Sequence, residues 1–474
     1  MKREQRLGIQ YTAKNTDNRK AYLKEEMVNP MGDFKMVEQN WHKKNRCSRK
    51  EAYRMLMEQI VSRENLLSAL KRVERNKGSH GVDEMPVQNL RAHIVKHWDS
   101  MKKELLEGTY EPQPVRRVEI PKPDGDVRLL GIPTVIDRFI QQTIAQVLTS
   151  VYDPTFSDHS YGFRPKRSAH GAVRKAKGYL TEGNRWVIDI DLEKFFDKVN
   201  HDRLMGTLAK RIEDKRLLKL IRKYLKSGIM INGVVTTSEE GTPQGGPLSP
   251  LLSNIVLDEL DKELERRGHF FVRYADDCNI YVKTQKAGHR VMDSVTSFIE
   301  GKLKLKVNVN KSKVDRPWKR KFLGFSFTNG KDPKVRIAKE SMKRMKNKVR
   351  EITSRKKPFP LEYRIKKLNQ YLMGWCGYFA LADTPSVFTK LDSWIKRRLR
   401  MCVWKNWKKP RTKRRKLIGL GASKAKAYEW SNTRKSYWRI SKSPILHRTL
   451  GNSYWSSQGL KSLLSRYETL RHLS

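Results

Sequence analysis

Cysteine is scarce in this chain, with only four among 474 residues. Cys47, Cys278, Cys376 and Cys402 lie far apart, and no Cys-x-x-Cys pair occurs. This spacing suggests neither a zinc knuckle nor a disulfide framework. Reduced thiols, as in a cytoplasmic protein, are therefore expected.

Long hydrophobic runs are missing as well. No apolar stretch approaches the ~20 residues that a membrane-spanning helix needs. The first ten residues, MKREQRLGIQ, do not have the pattern of a signal peptide. We therefore expect no membrane partner.

Acidic residues are outnumbered two to one. The chain has 100 Lys and Arg against 50 Asp and Glu, a formal net charge of +50. Solubility needs no such excess, so it indicates a polyanionic partner, most simply nucleic acid. The last hundred residues hold 23 Lys and Arg against 4 Asp and Glu, together with seven of the eleven tryptophans.

Against this basic background, two carboxylates stand side by side in Tyr274-Ala275-Asp276-Asp277. Strand-forming residues flank them at 270–272 and 278–282, which predicts a hairpin with the acids at its tip. Adjacent carboxylates repel each other, so a site that keeps both ionised usually holds a cation. Mg²⁺ takes carboxylate oxygens together with substrate phosphates. For the pair alone, a solvated turn is the alternative interpretation.

A second acidic cluster runs from Asp189 to Asp197 (DIDLEKFFD). On a strand predicted over 186–191, Asp189 and Asp191 face the same side. A two-metal phosphoryl-transfer site needs carboxylates from separate segments, holding cations about 3.5–4 Å apart. One acid at a strand end plus the hairpin pair would satisfy that need. A charged strand edge is the alternative for this cluster alone.

The segment TPQGGPLSP (242–250) is the third element. Its glycines and prolines predict a rigid loop with close backbone approach. It leads into a helix predicted over about 249–267. Gln244 is a neutral donor and acceptor, suited to a groove edge or a sugar, and an ordinary helix entry is the alternative.

Other patterns complete the outline. Hairpins are predicted at 115–133, around a Pro-Asp-Gly turn, and near 229–238. Short strands are predicted near 305–308 and 321–327, and the chain beyond 335 is expected to be mostly helical. The first 45 residues are polar and carry no assignable motif.

Three elements in this order resemble a known family. Asp191 with Phe195-Phe196, then PQGGPLSP, then YADD are similar to motifs A, B and C of reverse transcriptases. From about residue 60 onward the chain resembles group II intron-encoded reverse transcriptase/maturases of class C. The further blocks that carry this resemblance are IPKPDGDVRLLGIPT, YGFRP, LKLKVNVNKSKV, KFLGFSF, LNQYLMGWCGYF, NTRKSYWR and YWSSQGLKSLLSRYETLR.

The resemblance implies catalytic roles for individual residues. Asp191 and Asp276 would coordinate two Mg²⁺ ions, with Mn²⁺ as a possible substitute, and Asp277 would complete the acidic site. Phe195 would be the gate that excludes a ribose 2′-hydroxyl and so selects dNTPs. Phe196 is the neighbouring candidate for that gate and is otherwise a core residue.

Nucleotide contacts are implied in the same way. Lys122 and Arg128, on the first hairpin, would grip the incoming triphosphate, and Lys311 would lie near it. Gln244 would touch the nascent base pair or the template. Residues 322–325 would support the primer end. For each basic residue a solvated surface charge is the alternative.

The implied fold is α+β: a right-hand polymerase with fingers and a palm built on an antiparallel sheet, followed by a helical thumb and a small basic helical DNA-binding domain. The expected divisions are a polar extension (1–45), an N-terminal extension with fingers (46–185), palm (186–334), thumb or maturase domain (335–400) and DNA-binding domain (401–474). Tryptophans 375 and 394 are expected in the core. Trp404 and Trp407 are expected either to stack on bases or to fill a small core.

The implied function is RNA-directed DNA synthesis that copies intron RNA into cDNA by target-primed reverse transcription, together with assistance to splicing of the host intron. The partners would be group II intron RNA, an RNA template with a DNA or RNA primer, and target DNA, in a bacterial cytoplasmic or nucleoid-associated ribonucleoprotein. The His-Asn-His endonuclease region of many relatives is not expected. A domesticated reverse transcriptase in DNA repair or defence, and a splicing factor with an idle polymerase site, are the alternatives. The oligomeric state stays open.

Overall fold

The computed structural model describes residues 54–121, 127–231, 234–236, 240–241 and 245–472. The predicted N-terminal extension, Lys122 and Gln244 lie outside these residues. Two compact units are present, one extending to Arg316 and the other beginning at Pro317. The five-domain division remains a prediction.

The first unit contains the helices and strands of the expected fingers and palm. Its helices are α1 (Leu56–Ile60), α2 (Arg63–Asn76), α3 (Leu90–Glu107), α4 (Val135–Tyr152), α5 (Ala169–Thr181), α6 (His201–Ala209), α7 (Lys215–Lys226), α8 (Ser249–Arg266) and α9 (Gln285–Phe298). Its strands are β1 (Val115–Pro121), β2 (Val127–Ile132), β3 (Trp186–Ile190), β4 (Ile229–Ile231), β5 (Val234–Thr236), β6 (Phe270–Tyr274), β7 (Asp277–Val282) and β8 (Lys313–Asp315).

A four-stranded antiparallel sheet in the order β6-β7-β3-β8 forms the palm. Its buried residues include Val187, Ile188, Phe271 and Ile280. β-Branched and aromatic residues of this kind favour strands. Helices α5 and α8 pack against β6, and α9 packs against β3. The predicted strand at 186–191 and the predicted YADD hairpin are confirmed.

A second four-stranded sheet has the order β2-β1-β4-β5. Strands β1 and β2 pair antiparallel, as the predicted hairpin at 115–133 requires, and β4 and β5 form the small hairpin predicted near 229–238. The parallel pairing of β1 with β4 joins the two hairpins into one sheet. Sequence pattern alone did not indicate that union, because the two hairpins are far apart in the chain.

A buried carboxylate anchors α4 to the neighbouring elements. Asp137 accepts hydrogen bonds from the hydroxyls of Thr134 (2.7 Å), Tyr110 (2.9 Å) and Tyr224 (3.2 Å) and from the backbone N–H of Gln113 (3.2 Å). Burial nevertheless raises the pKa of Asp137. Each of its carboxylate oxygens accepts two hydrogen bonds, so the role of Asp137 is structural.

One predicted strand is wrong. Residues 305–308 form no strand, and Val307 makes only an isolated bridge to Leu192. The edge of β3 is occupied instead by β8, a few residues further along the chain. Strand β3 ends at Ile190, so the 305–308 segment meets only the residues that follow it, through hydrogen bonds from the Glu193 N–H to the Lys306 carbonyl (2.9 Å) and from the Asn308 N–H to the Asp191 carbonyl (2.8 Å). Leu305 and Val307 are buried in the core.

The second unit is helical apart from one short hairpin. Its strands are β9 (Phe325–Phe327) and β10 (Val335–Ile337). Its helices are α10 (Lys339–Ile352), α11 (Leu361–Phe379), α12 (Pro385–Asn406), α13 (Pro410–Gly419), α14 (Lys424–Ser431), α15 (Tyr437–Ile440), α16 (Pro444–Thr449), α17 (Asn452–Ser457) and α18 (Leu463–His472). The predicted helical character beyond 335 is confirmed.

The end of the chain folds back onto the middle of this unit. Helix α18 packs on α11 and α12, and its Tyr467 stacks on Phe388 with ring centroids 4.5 Å apart. The Asp392 carboxylate accepts hydrogen bonds from the backbone N–H groups of Leu463 (2.9 Å) and Leu464 (3.1 Å), at the N-terminus of α18. The expected boundary between residues 400 and 401 falls inside α12. In the part of the chain that the structure describes, no helix is long and apolar enough to cross a membrane.

Candidate active site

The tip of the β6–β7 hairpin carries two of the predicted acids. Tyr274 pairs with Asp277, which leaves Ala275 and Asp276 as a two-residue loop. Ala275 has φ +55°, a backbone conformation that residues other than glycine adopt only at a cost in free energy. Asp277 is exposed and Asp276 is partly buried. The predicted placement of the acids at a hairpin tip is confirmed.

The register of β3 on β7 brings the third acid to the same end of the sheet, where β3 ends and β7 begins. Ile190 pairs with Cys278, so Asp191, which follows Ile190, lies beside Asp277, which precedes Cys278. Asp189 pairs with Asn279, two residues further from that end of the sheet. Because side chains alternate along a strand, Asp189 and Asp191 point to the same face.

The backbone of Asp191 is held from a separate segment. Its N–H donates to the Ser312 hydroxyl (3.0 Å), and its carbonyl accepts from the N–H of Asn308 (2.8 Å). Lys311 is exposed on the same short loop. This loop therefore fixes where Asp191 leaves the strand, and Lys311, the predicted triphosphate contact, is the residue before Ser312 in the chain.

The donor set fits a magnesium or manganese site. Asp191, Asp276 and Asp277 offer only carboxylate oxygens, the ligands that these cations prefer. Among the described residues, no three acidic, histidine or cysteine side chains are already gathered as a metal cage. Mg²⁺ typically takes one or two protein carboxylates and completes its shell with substrate phosphates and water, so an open edge of this kind is suitable.

The two phenylalanines of the predicted gate occupy different environments. Both belong to a single 3₁₀ turn after β3, with ring centroids 5.2 Å apart. Phe195 is 2% exposed and belongs to the core, whereas Phe196 is partly buried and packs against that core. A side chain that meets a ribose needs an accessible face, so burial favours Phe196 for the role that the sequence gave to Phe195 first.

The glycines of the predicted rigid loop make close approaches. A Cβ on Gly245, whose φ is +133°, would lie 2.5 Å from the carbonyl oxygen of Gly131 on β2. A Cβ on Gly246 would lie 2.2 Å from the side-chain oxygen of Gln141 on α4. The predicted close backbone approach is confirmed at both positions. The backbone of Arg128 lies in β2, paired with Ile120, and the predicted role of its side chain remains a prediction.

The second unit contains both buried and exposed aromatic residues. Trp404 is 1% exposed, with Lys413 4.7 Å from its ring centroid, so the core interpretation holds for this tryptophan. Trp438 is 36% exposed and carries the Arg397 guanidinium 3.9 Å from its ring centroid. Tyr428 is 53% exposed and carries Arg414 at 4.0 Å. Trp438 and Tyr428 therefore offer accessible rings outside the basic run of 395–417, while Trp407 is partly buried and its role remains a prediction.

Sequence reasoning overlooked the residues that support the hairpin tip. Arg273 is fully buried within β6 and pairs with Asp261 of α8. Gly162 of the YGFRP segment lies directly against Ala275. The available signal was a single arginine inside an otherwise apolar strand, since a charge there requires a buried partner.

The palm sheet carries the three predicted acids where β3 ends and β7 begins, an arrangement suited to nucleotidyl transfer, and comparison with known proteins specifies the family. Residues 120–327 match the family model "Reverse transcriptase (RNA-dependent DNA polymerase)". Residues 342–418 match "Group II intron, maturase-specific domain". Both matches agree with the resemblance inferred from the motifs.

Curated relatives point in the same direction. Protein YkfC of Escherichia coli (strain K12) is 36% identical over 299 residues, covering 55% of this chain and 78% of that protein. The group II intron-encoded protein LtrA of Lactococcus lactis subsp. cremoris is 46% identical over 159 residues, covering 33% of this chain and 26% of LtrA. Nuclear intron maturase 3 of Arabidopsis thaliana is 33% identical and covers 29% of this chain and 19% of that protein.

Similarity to solved structures is more distant. A partial Cas6-RT-Cas1–Cas2 complex is 27% identical, with a TM-score of 0.34, covering 52% of this chain and 42% of that chain. The chain belongs to the family of group II intron reverse transcriptase/maturases. The matches to the two family models confirm the predicted family, and the reverse transcriptase match confirms the right-hand polymerase fold.

Proposed function

We propose that this protein copies group II intron RNA into cDNA by target-primed reverse transcription and assists the splicing of that intron. The observation that carries the proposal is the meeting of Asp191 and the Asp276-Asp277 hairpin at one edge of the palm sheet, within a reverse transcriptase domain. The maturase-specific match and the net charge of +50 support a large RNA partner.

In the proposed reaction, the 3′-hydroxyl of a primer attacks the α-phosphate of a dNTP, and pyrophosphate leaves. Asp191 and Asp276 would hold two Mg²⁺ ions, with Asp277 completing the acidic site. When bound, such ions activate the attacking oxygen and stabilise the leaving group. The protein's own work is positioning and charge neutralisation, since phosphoryl transfer asks little covalent chemistry of side chains.

Other side chains would orient the nucleotide. Lys122, Arg128 and Lys311 would contact the triphosphate, and Gln244 would contact the nascent base pair or the template. Either Phe195 or Phe196 would exclude a ribose 2′-hydroxyl, and Phe196 is favoured because its side chain is the more exposed of the two. These assignments extend the family's motifs to matching positions of this chain.

The basic second unit would hold nucleic acid. We assign residues 335–400 to duplex and intron RNA, and residues 401–474 to the DNA target. Exposed Trp438 and Tyr428, each with an arginine over its ring, would offer stacking faces for unpaired bases. Such contacts tolerate sequence variation, so they suit a surface that accepts several nucleic acid segments.

Two assays test the proposal. Purified protein supplied with a primed RNA template, dNTPs and Mg²⁺ should extend the primer, and the Asp276→Asn variant should not. Splicing of the RNA transcribed from the DNA around the gene should be accelerated by both proteins, because splicing assistance depends on RNA binding. Absence of extension by the unmodified protein would rule out the polymerase role.

A further inference from the structure

Arg273 is a charged residue in one of the least polar positions of the palm. It lies on β6, two residues before the loop that carries Asp276, and it is 0% exposed. Burying a guanidinium is unfavourable unless its donors are all engaged. The contacts that this side chain makes therefore indicate what it does.

The guanidinium joins helix α8 to the catalytic turn. Its Nε and Nη2 donate to both oxygens of Asp261, the former at 2.7 Å. Its Nη1 donates to the side-chain oxygen of Asn254 (2.9 Å) and to the backbone carbonyl of Ala275 (2.8 Å). Burial alone would lower the pKa of Arg273, but the Asp261 carboxylate raises it, so the group remains charged.

A second set of contacts closes the arrangement into a ring. The Asn254 side-chain N–H donates to the carbonyl of Gly162 (2.9 Å). A Cβ on Gly162 would lie 2.2 Å from the backbone nitrogen of Ala275, so the two backbones touch. The carbonyl of Ala275 therefore accepts a hydrogen bond from Arg273, and the backbone of Gly162 lies close against its nitrogen. Both contacts trace back to Asn254 on α8.

The residue held in this way is the one with the unusual backbone. Ala275 has φ +55°, which L side chains seldom adopt, and it immediately precedes Asp276. A strained conformation persists only where the surrounding structure imposes it. The Arg273 guanidinium donates to the Ala275 carbonyl and so acts directly on this residue.

We propose that Arg273 is a positioning residue for DNA synthesis: anchored by Asp261 and Asn254, it fixes the Ala275 peptide and thereby the placement of the Asp276 carboxylate. The inference rests on the proposed function, in which Asp276 binds a catalytic cation. Lysine cannot replace arginine here, because one ammonium cannot span a bidentate carboxylate, an amide and a carbonyl in a fixed fork.

The test compares Arg273→Lys with Arg203→Lys in the full chain. Arg203 also forms an ion pair with α8, through Glu259, and in the described part of the chain its ion pair and hydrogen bonds do not involve residues 274–277. Arg273→Lys should lower kcat for single-nucleotide addition by about 10²-fold, as a displaced catalytic group does. The KM for dNTP should change by no more than about 2-fold, since the triphosphate contacts lie elsewhere. Arg203→Lys should leave both constants unchanged.

A second measurement does not depend on activity. Mn²⁺ binding followed by electron paramagnetic resonance, with Asp276→Asn to identify the active-site component, should show about 10-fold weaker binding in Arg273→Lys. Asn254→Ala retains the Arg273–Asp261 pair and should give a smaller loss in both readouts. If Arg273→Lys fails to fold, Asn254→Ala still tests the proposal.

The outcomes separate the possibilities. An unchanged kcat together with unchanged Mn²⁺ binding in folded Arg273→Lys or Asn254→Ala would overturn the positioning role. A fall in active fraction with unchanged kcat per active molecule and unchanged Mn²⁺ affinity would also overturn it, in favour of a purely structural pair. If the unmodified protein extends no primer, the proposed function fails, while the Mn²⁺ comparison still decides the role of Arg273.

Discussion

The catalytic hairpin and the second unit use charge in opposite ways. Around the hairpin, charges are few and individually held, as in the fully buried Arg273–Asp261 pair. In the second unit they are numerous and often exposed, as at Lys408, Lys409 and Arg411. Phosphoryl transfer depends on atoms placed to within a fraction of an ångström, whereas binding a polyanion depends on how many phosphates are neutralised. Single substitutions should therefore be severe in the first region and mild in the second.

The largest effect is expected at the acids themselves. Asp276→Asn should lower kcat for primer extension by about 10³-fold or more, equivalent to roughly 4 kcal/mol, because a neutral amide holds a divalent cation poorly. Asp293→Asn, an exposed acid on α9, is the matched control and should retain full activity. Steady-state extension of a primed RNA template measures both, and near-normal activity in Asp276→Asn would remove this acid from the site.

A methyl group added beside the turn should be almost as damaging. In Gly162→Ala the new Cβ would meet the Ala275 nitrogen at 2.2 Å, so the turn must shift, and we expect about a 10²-fold loss of kcat. Gly178→Ala on α5 is the control, because no atom lies within 4 Å of its Cβ position. It should stabilise the protein by about 0.5–1 kcal/mol in thermal unfolding without changing the rate. Equal rates in the two variants would show that the close contact is unimportant.

The two phenylalanines distinguish a gate from a core residue. Phe195→Ala should destabilise the first unit by about 3–5 kcal/mol, since the side chain is almost fully buried. Phe196→Ala should cost less stability and instead increase rNTP incorporation relative to dNTP by about 10-fold or more. Competition between rNTP and dNTP on one template, alongside urea unfolding, provides both values. The reverse outcome would return the gate to Phe195.

An exposed aromatic residue of the second unit should have a smaller effect. Trp438→Ala should weaken binding of single-stranded nucleic acid by about 1–3 kcal/mol, the usual contribution of one stacked base. Phe270→Ala, which removes an exposed aromatic side chain from β6, should leave that affinity unchanged. Fluorescence anisotropy with a labelled oligonucleotide measures the difference. Identical affinities would exclude Trp438 from the binding surface.

The smallest effect is expected from a single surface charge. Lys416→Gln on α13 removes one exposed cation and should weaken RNA binding by less than about 1 kcal/mol at moderate salt. If Lys416 neutralises a phosphate, the slope of log affinity against log salt should decrease in magnitude by about 1. A loss of RNA affinity in Lys416→Gln as large, in fold-change, as the loss of kcat expected for Gly162→Ala would contradict the contrast between the two regions.

The site was predictable to the extent that its chemistry is local. The YADD hairpin, the strand ending at Asp191 and the close approach of Gly245 and Gly246 all follow from short patterns of alternation, turn residues and glycine. The pattern failed at 305–308, where alternating apolar residues looked like a strand but β3 ends at Ile190, so only an isolated bridge between Val307 and Leu192 forms. It also left Trp404 open between base stacking and a small core, and only the structure shows that Trp404 is buried.

The sequence by itself determined the kind of chemistry: paired acids and a glycine- and proline-rich loop, each carried by residues close together in the chain, and a charge suited to a polyanion. Only the tertiary structure decided that Ile190 pairs with Cys278, that Ser312 holds Asp191, and that Arg273 finds Asp261 and Asn254. These contacts join segments far apart in sequence. Their register and partners depend on which surfaces pack together, and no local pattern encodes that choice.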